Sequence, residues 1–346
     1  MSIRNLTPDQ YPEFYRFNQE IYPDRKEIEH RFKAQILNNP LLEEKSKPHV
    51  LLAHNKASEI VGQFLLMPFH YDLDGQRTKG FFGCDFFMKE DSKKGAAGAF
   101  LAVKALNGHR PYFTFDASET AKKIALSLKS SIIGELYKFL WLRTAMAPIR
   151  LARFAITGDE DTIVPIISTP APPDELTCQG HCFERVQALR KWCQHPAEPT
   201  VLEFSRSLEF LNWRFMSNPE KYYFYRMQDQ SNASVFFVVR RARNRGLNLL
   251  ALVDYKVPIG DTEIFRAILG SVKSLARLLR CDGVITMSSH HSFDRDLKKS
   301  MFFKIGIPAQ ILTNAKLNFS KTAIAQRRTV FVTMADGDMD FKFYDV

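Results

Sequence analysis

The run from Glu59 to Lys94 constrains the fold more than any other part of the chain. Ile60-Val61-Gly62-Gln63-Phe64-Leu65-Leu66-Met67-Pro68 opens a long apolar stretch that reaches Tyr71. Asp72-Leu73-Asp74-Gly75 is a turn signal, and Gln76 to Met88 resumes with Phe81, Phe82, Phe86 and Phe87. Two apolar runs joined by such a turn read as a hairpin or meander. The second run then enters a small, basic loop, Asp91-Ser92-Lys93-Lys94-Gly95-Ala96-Ala97-Gly98, and Ala99 to Asn107 reads as a helix. Small residues let backbone approach a ligand closely. The first helical N–H groups lack partners, and the helix dipole favours an anion there. With Lys93 and Lys94 adding charge, this junction has the chemistry to hold a pyrophosphate.

The flanks have a regular order. Ile3-Arg4-Asn5-Leu6 reads as a strand. Thr7, Pro8 and Gln10 form a helix start with a capping-box pattern, and Tyr11, Phe14, Tyr15 and Phe17 follow at roughly helical spacing. A second helix is expected from Arg25 to Ile36, strands at His49–Ala53 and Tyr112–Phe115, and a helix from Ser118 to Lys129. Thr169-Pro170-Ala171-Pro172-Pro173 fits neither a regular helix nor a central strand. Beyond it comes a similar order. A helix at Leu208–Phe215 precedes strands at Tyr222–Arg226, Ala233–Arg241 and Gly246–Tyr255. A helix at Asp261–Leu279, a strand at Gly283–Met287 and a helix at Ser292–Lys299 follow, and Lys304–Leu312 and Thr329–Met334 close the sheet. The expected organisation is therefore α/β with two tandem domains, residues 1–155 and 200–346, joined by a connector at 156–199. Each domain is a largely antiparallel, twisted sheet flanked by helices.

Composition narrows the function. A chain of 346 residues with 45% hydrophobic and 25% charged residues is ordinary globular material for two domains. A net charge of +10 favours an anionic partner: a phosphorylated cofactor, nucleic acid, an acidic protein or a membrane face. The polar opening Met1-Ser2-Ile3-Arg4-Asn5 and five cysteines, an odd number, lead us to expect a cytoplasmic protein with reduced thiols. Charges interrupt the longest apolar candidate, Ser131–Ile156, so no transmembrane helix is expected.

The strand–loop–helix junction resembles the GNAT (GCN5-related N-acyltransferase) superfamily. Its phosphate loop follows the fourth strand and reads Gln/Arg-x-x-Gly-x-Gly/Ala. Ser92-Lys93-Lys94-Gly95-Ala96-Ala97 matches at Gly95 and Ala97 and carries Ser92 in place of Gln or Arg. Val61-Gly62 with Pro68, and Tyr112-Phe113-Thr114-Phe115-Asp116-Ala117-Ser118-Glu119, resemble the family's hairpin entry and fifth strand. Leu211-Asn212-Trp213-Arg214-Phe215, Pro219, Tyr222-Tyr223 and the ending Thr333-Met334-Ala335-Asp336-Gly337-Asp338-Met339-Asp340 look like tandem GNAT proteins associated with bacterial surface polysaccharide synthesis. The resemblance implies a donor, acetyl-CoA or another acyl-CoA, at Phe86, Phe87, Met88, Lys93, Lys94, Gly95, Ala96, Ala97 and Gly98, and no metal. It implies direct attack of an acceptor amine or hydroxyl on the thioester, with a strand N–H polarising the carbonyl and a carboxylate as base. Asp85 is the first candidate base and Glu119 the second. In the second half only Lys256-Val257-Pro258-Ile259-Gly260-Asp261 could stand for the loop, so that domain is expected to be degenerate for cofactor.

Other readings compete. A GNAT scaffold could retain an anionic ligand without turnover, which Ser92 favours, or take its acyl group from an acidic acyl carrier protein docked at Arg240 and Arg241. Arg240-Arg241-Ala242-Arg243-Asn244-Arg245 reads as a solvated hairpin tip, and no nucleic-acid motif accompanies it. Tyr137–Phe154 reads as one helix, packed between the two expected domains or lying peripherally on the inner membrane face. His290-His291 with Asp294 marks a helix start or a site. Cys178, His181, Cys182, Cys193 and His195 invite a metal reading, against an amphipathic helix at Cys182–Cys193. The acceptor is expected to be a small molecule such as a sugar or amino acid.

Overall fold

The computed structural model describes residues 2–23, 25, 27–90, 96–143, 146–157, 170–192, 198–229 and 234–337. Lys93, Lys94, Gly95, Cys193, His195 and Asp338-Met339-Asp340 lie outside them. The chain forms two compact units. The first comprises Met1–Tyr71, Arg77–Ile133 and Gln310–Asn318, and the second Asp72–Gln76, Gly134–Ala309 and Phe319–Val346.

In the first unit, β1 (Ser2–Asn5) pairs antiparallel with β2 (Val50–His54). Gln10 reaches back to accept from the Thr7 amide at 3.3 Å before α1 (Tyr11–Ile21) begins. α2 is shorter than expected, Ile28–Phe32, and closes in a wide π-type turn at Lys33–Leu37. Glu27 in the left-handed region, φ 55°, breaks the helical path that the sequence pattern starts at Arg25. β3 (Ile60–Leu73) and β4 (Gln76–Met88) turn at Asp74 and Gly75, both with positive φ. α3 (Ala97–Gly108), β5 (Tyr112–Phe115) and α4 (Glu119–Ser127) follow. The strand order is β1-β2-β3-β4-β5. The chain returns at 310–318 to lie antiparallel on β5 through Ile311↔Phe115, Leu312↔Thr114 and Thr313↔Phe113. α3 seals one face with Leu101, Ala102, Ala105 and Leu106 against Leu51, Val61, Phe64 and Tyr112. α1 holds β3 by a buried amide exchange between Asn18 and Gln63, at 2.8 and 3.0 Å.

The second unit takes up β6 (Ser131–Leu142) from Gly134, followed by α5 (Met146–Thr157). Thus Tyr137–Phe154 is a strand and a helix rather than one helix. Ile132, Ile133, Tyr137, Phe139 and Trp141 suit a strand, and β6 pairs with β13 (Gly283–Ser288) from Leu142↔Gly283 to Tyr137↔Ser288. α5 is anchored by Arg150 on Asp282 and exposes Ile149 and Ile156. β7 (Glu175–Cys178) and β8 (His181–Val186) form a hairpin where an amphipathic helix from Cys182 was expected. The reason is Gln179-Gly180, both at positive φ, a two-residue turn matched to strand twist. Among the described residues, no three His, Cys, Asp or Glu gather as a metal site.

β9 (Leu202–Phe204), α6 (Leu208–Leu211) and β10 (Tyr223–Met227) lead to β11 (Phe236–Asn244) and β12 (Leu247–Lys256). The arginine run is therefore mostly strand, not tip. The turn is Arg245-Gly246, and Arg240 is buried in β11, which removes it from any carrier-protein docking surface. α7 (Thr262–Leu278) packs Phe265, Ile268, Leu269, Val272 and Leu275 on the sheet. α8 (His291–Lys299), β14 (Phe303–Thr313), α9 (Lys321–Ala325) and β15 (Val330–Phe331) complete the unit. Its order is β6-β13-β12-β11-β10-β8-β7, antiparallel except between β12 and β13. Among the described residues no helix is long and apolar enough to cross a membrane.

Candidate active site

In the first unit the end of β4 meets the start of α3. β4 and β5 run parallel and pair only at Phe81↔Tyr112 and Phe82↔Phe113. Gly83 makes room for the Tyr112 ring, since a Cβ there would sit 2.2 Å from it. Two residues later Asp85 has φ 48° in mid-strand. A non-glycine residue held there costs about 1–3 kcal/mol and marks a bulge.

Past the bulge the side chains alternate. Phe86 and Met88 face α3. Phe86 lies 4.9 Å from Phe64 between ring centres, and Met88 is wedged between glycines. A Cβ on Gly62 would lie 2.1 Å from its sulfur, and one on Gly98 would lie 3.3 Å from its Cγ. Those two glycines allow the start of α3 to sit against the end of β4. Among the described residues no side chain caps the helix: Ala96 offers none, and the first turn closes when the Phe100 N–H donates to Ala96 O at 2.9 Å. The N–H groups of Ala97, Gly98 and Ala99 have no acceptor within the helix. Of the expected donor residues, Phe86, Met88, Ala96, Ala97 and Gly98 come together. Phe87 turns the other way, edge-on to Phe17 and Tyr22.

Asp85 shares the face of Phe87. Both its carboxylate oxygens are taken by Arg25, at 2.8 and 2.6 Å, and the Arg25 guanidinium lies 3.5 Å over the Tyr22 ring. Burial raises the Tyr22 hydroxyl pKa, and the Asp85 charge adds to the rise while Arg25 opposes it. The pair is not sealed: the side chains are 24% exposed for Arg25 and 11% for Asp85. Each Asp85 oxygen thus spends one lone pair on Arg25. Glu119 is different. It opens α4 with its side chain 80% exposed and Lys122 3.9 Å away, the place of a carboxylate that complements a helix dipole. Ser118 caps that helix by accepting from the Ala121 N–H at 3.3 Å.

The second unit also places a helix after a bulged strand, with a different filling. The β11–β12 register slips by one residue, Val238↔Asp254 but Val239↔Leu252, so β12 bulges at Val253. β12 pairs in parallel with β13 from Leu249↔Gly283 to Leu252↔Thr286 and then parts from it. Residues 329–336 bridge the opening. Ala335 N–H donates to Val253 O at 3.0 Å, and Val332 N–H to Ser289 Oγ at 2.7 Å. Tyr255, Phe265, Phe293 and Phe331 pack ring on ring beside them. The buried Arg206 locks the segment by donating to both carboxylates of Asp254 and Asp336, at 2.6 to 3.0 Å, and to Thr333 Oγ1 at 3.2 Å. Lys256 pairs with the buried Glu203. α7 starts capped: Asp261 Oδ1 accepts from the Ile264 N–H at 3.1 Å.

His290 and Asp294 serve structure there. His290 is buried and caps α8 by accepting from the Ser292 N–H at 3.4 Å. Burial first, then His291, Arg327 and Arg328, push its pKa down to about 4. Asp294 pairs with Arg327, which also donates to Ser288 O at 2.9 Å. The Arg25–Asp85 and Arg206–Asp254–Asp336 contacts escaped the sequence reading, because their partners lie 48 to 130 residues apart.

No sequence profile of a known family matches the chain, and no curated protein matches its sequence. Solved structures do match. A GCN5-related N-acetyltransferase of Anabaena variabilis is 9% identical, covering 90% of this chain and 72% of its own, with a TM-score of 0.57. A probable N-acyltransferase of Enterococcus faecalis is also 9% identical, over 90% and 71%, at 0.56. The N-myristoyltransferase of Saccharomyces cerevisiae, solved with bound myristoyl-CoA, is 10% identical over 91% and 83%, at 0.54. With its mostly antiparallel sheets, bulged strands and flanking helices, the chain has the GCN5-related N-acyltransferase (GNAT) fold.

Proposed function

We propose that the protein is an acyltransferase that moves an acetyl or longer acyl group from acyl-CoA to an amine, with the donor held by the first unit. The observation that carries this reading is the bare start of α3 pressed against the bulged end of β4. In this reading the N–H groups of Ala97, Gly98 and Ala99 take the diphosphate. The strand beyond Asp85 presents a backbone N–H to the thioester carbonyl, where negative charge develops as the amine attacks. Asp85, once freed from Arg25, receives the proton.

Calorimetry with acetyl-CoA, a long-chain acyl-CoA and free CoA tests this, comparing wild type with Ala96→Asp. Aspartate is a favoured N-cap, so it supports the helix while occupying its amides with a negative charge. One saturable CoA site that the substitution weakens is the expected result. Wild-type protein that binds none of the three compounds would sink the proposal.

A further inference from the structure

We propose that the outer face of α5, in the second unit, rests on an anionic lipid surface. The helix covers Met146–Thr157, and its two sides differ. The inner side is fixed. Ala147 is buried, and Arg150 donates to both Asp282 oxygens at 2.7 and 2.6 Å. Phe154 lies over the β11–β12 turn, where a Cβ on Gly246 would come within 3.3 Å of the Phe154 Cβ. The outer side carries Ile149, Ala152, Arg153 and Ile156, spaced i, i+3, i+4 and i+7 as one face of a helix. All four are exposed, Ile149 at 59% and Ile156 at 85%. Isoleucines held in water this way gain free energy only when an apolar phase covers them.

Charge selects that phase. Asp282 ties the neighbouring segments to α5. Its carbonyl accepts from the Arg143 N–H at 2.8 Å and its carboxylate from the Asn248 N–H at 3.0 Å, while the Arg143 guanidinium donates to the Arg277 carbonyl at 3.1 Å. On these segments Arg143, Arg153, Arg245, Arg277 and Arg280 are exposed, and so is Leu278. Residues 143–161, 241–248 and 273–282 together carry nine lysines and arginines. Against them stand four carboxylates, Asp159, Glu160, Asp161 and Asp282, so the surplus of five cations is half of the chain's net +10.

Aliphatic side chains set among arginines match a bilayer surface. The acyl boundary takes the isoleucines, and lipid phosphates take the guanidinium groups. A single-stranded nucleic acid would use aromatic stacking platforms, and the outer face of α5 has only aliphatic side chains and Arg153. The proposal is independent of the acyl-CoA reading, since it uses no residue of the first unit.

Co-sedimentation of the full chain with vesicles tests it, with phosphatidylcholine alone or mixed with phosphatidylglycerol. Binding is expected to the mixed vesicles. It should fall as salt rises from about 0.1 to 1 M, over which the screening length shortens from about 10 to 3 Å. Ile149→Ser combined with Ile156→Ser should weaken binding about tenfold or more. Arg153→Glu should weaken it by a similar factor, because it reverses a charge at the surface. The melting temperature should not move in either variant, since all three side chains are exposed. Poly-glutamate stands in for an acidic protein and oligothymidylate for a nucleic acid in competition with the mixed vesicles. The proposal is overturned if the mixed vesicles do not carry the protein down, or if neutral vesicles do so equally well. It is also overturned if the isoleucine substitutions leave binding intact, or if either polyanion binds more tightly than the mixed vesicles.

Discussion

The starts of α3 and α7 differ in their caps and in what lies beside them. Both helices follow a bulged strand that parts from a parallel neighbour. In the first unit no described side chain caps the helix, and two glycines bring it onto Met88. In the second an aspartate caps it, and residues 329–336 bridge the neighbouring opening between β12 and β13. On the function proposed above, what fills the junction sets donor competence, and a strand–helix junction would be a site in one unit and packed core in the other. The filled junction relies on charge: Arg206 holds two carboxylates inside protein, whereas Arg25 holds one at a half-open edge.

The most damaging test of this contrast is Arg206→Ala. It leaves Asp254 and Asp336 buried without a cation, and urea unfolding should show a loss of about 3–5 kcal/mol. A loss below about 1 kcal/mol would mean that its aromatic packing and its other hydrogen bonds hold 329–336 without Arg206. Acid should act next. His290 is pushed down to about 4, while an unfolded histidine titrates near 6.5. Between those values the unfolded chain binds more protons. Stability from this group is therefore full above about pH 6.5 and lost progressively as pH falls from there to about 4, on the order of 3 kcal/mol. His290→Asn keeps a capping side chain and should flatten that slope in unfolding curves measured from pH 7 to 4. In the first unit His49, joined to His109 at 3.2 Å, is also lowered to about 4, chiefly by burial, so acid sensitivity should persist in part in this variant.

How far the sequence shows this contrast depends on the range of the interactions. β4 and β5 have the bounds read from the Phe-rich runs, because alternation and a turn signal are local properties. The Asp261 cap on α7 was likewise legible as the start of an expected helix. β6 is hidden because Glu135 and Lys138 break its apolar run at a spacing a helix also tolerates. The β7–β8 hairpin was hidden because Gln-Gly was not recognised as a tight turn. Neither bulge shows in the letters, since Asp85 and Val253 are ordinary strand neighbours until the partner strand fixes the register. Asp85 was singled out as a base, yet its arginine is 60 residues away. Nothing near Arg25 marks it as that partner. Only packing of α1 and the following turn on β4 brings the charges together.

The smaller effects sharpen the contrast by exchanging its terms. Ala96→Asp should weaken CoA binding about tenfold or more, the scale of one unfavourable charge near a partly buried helix end, about 1.4 kcal/mol. It should leave the melting temperature unchanged or slightly raised. The reverse change, Asp261→Ala, bares α7. It removes the acceptor for the Ile264 N–H and should lower stability by about 1 kcal/mol in urea unfolding. If a free helix start were sufficient for binding, this variant would take up a second CoA. We expect calorimetry to return one CoA per chain, as for wild type, because Ala335 and Val332 still bridge β12 and the residues after β13. A second CoA in Asp261→Ala would show that the cap alone kept the second unit empty. It would also transfer to residues 329–336 the role of a displaceable plug, and Arg206 would become the latch that sets how readily it leaves.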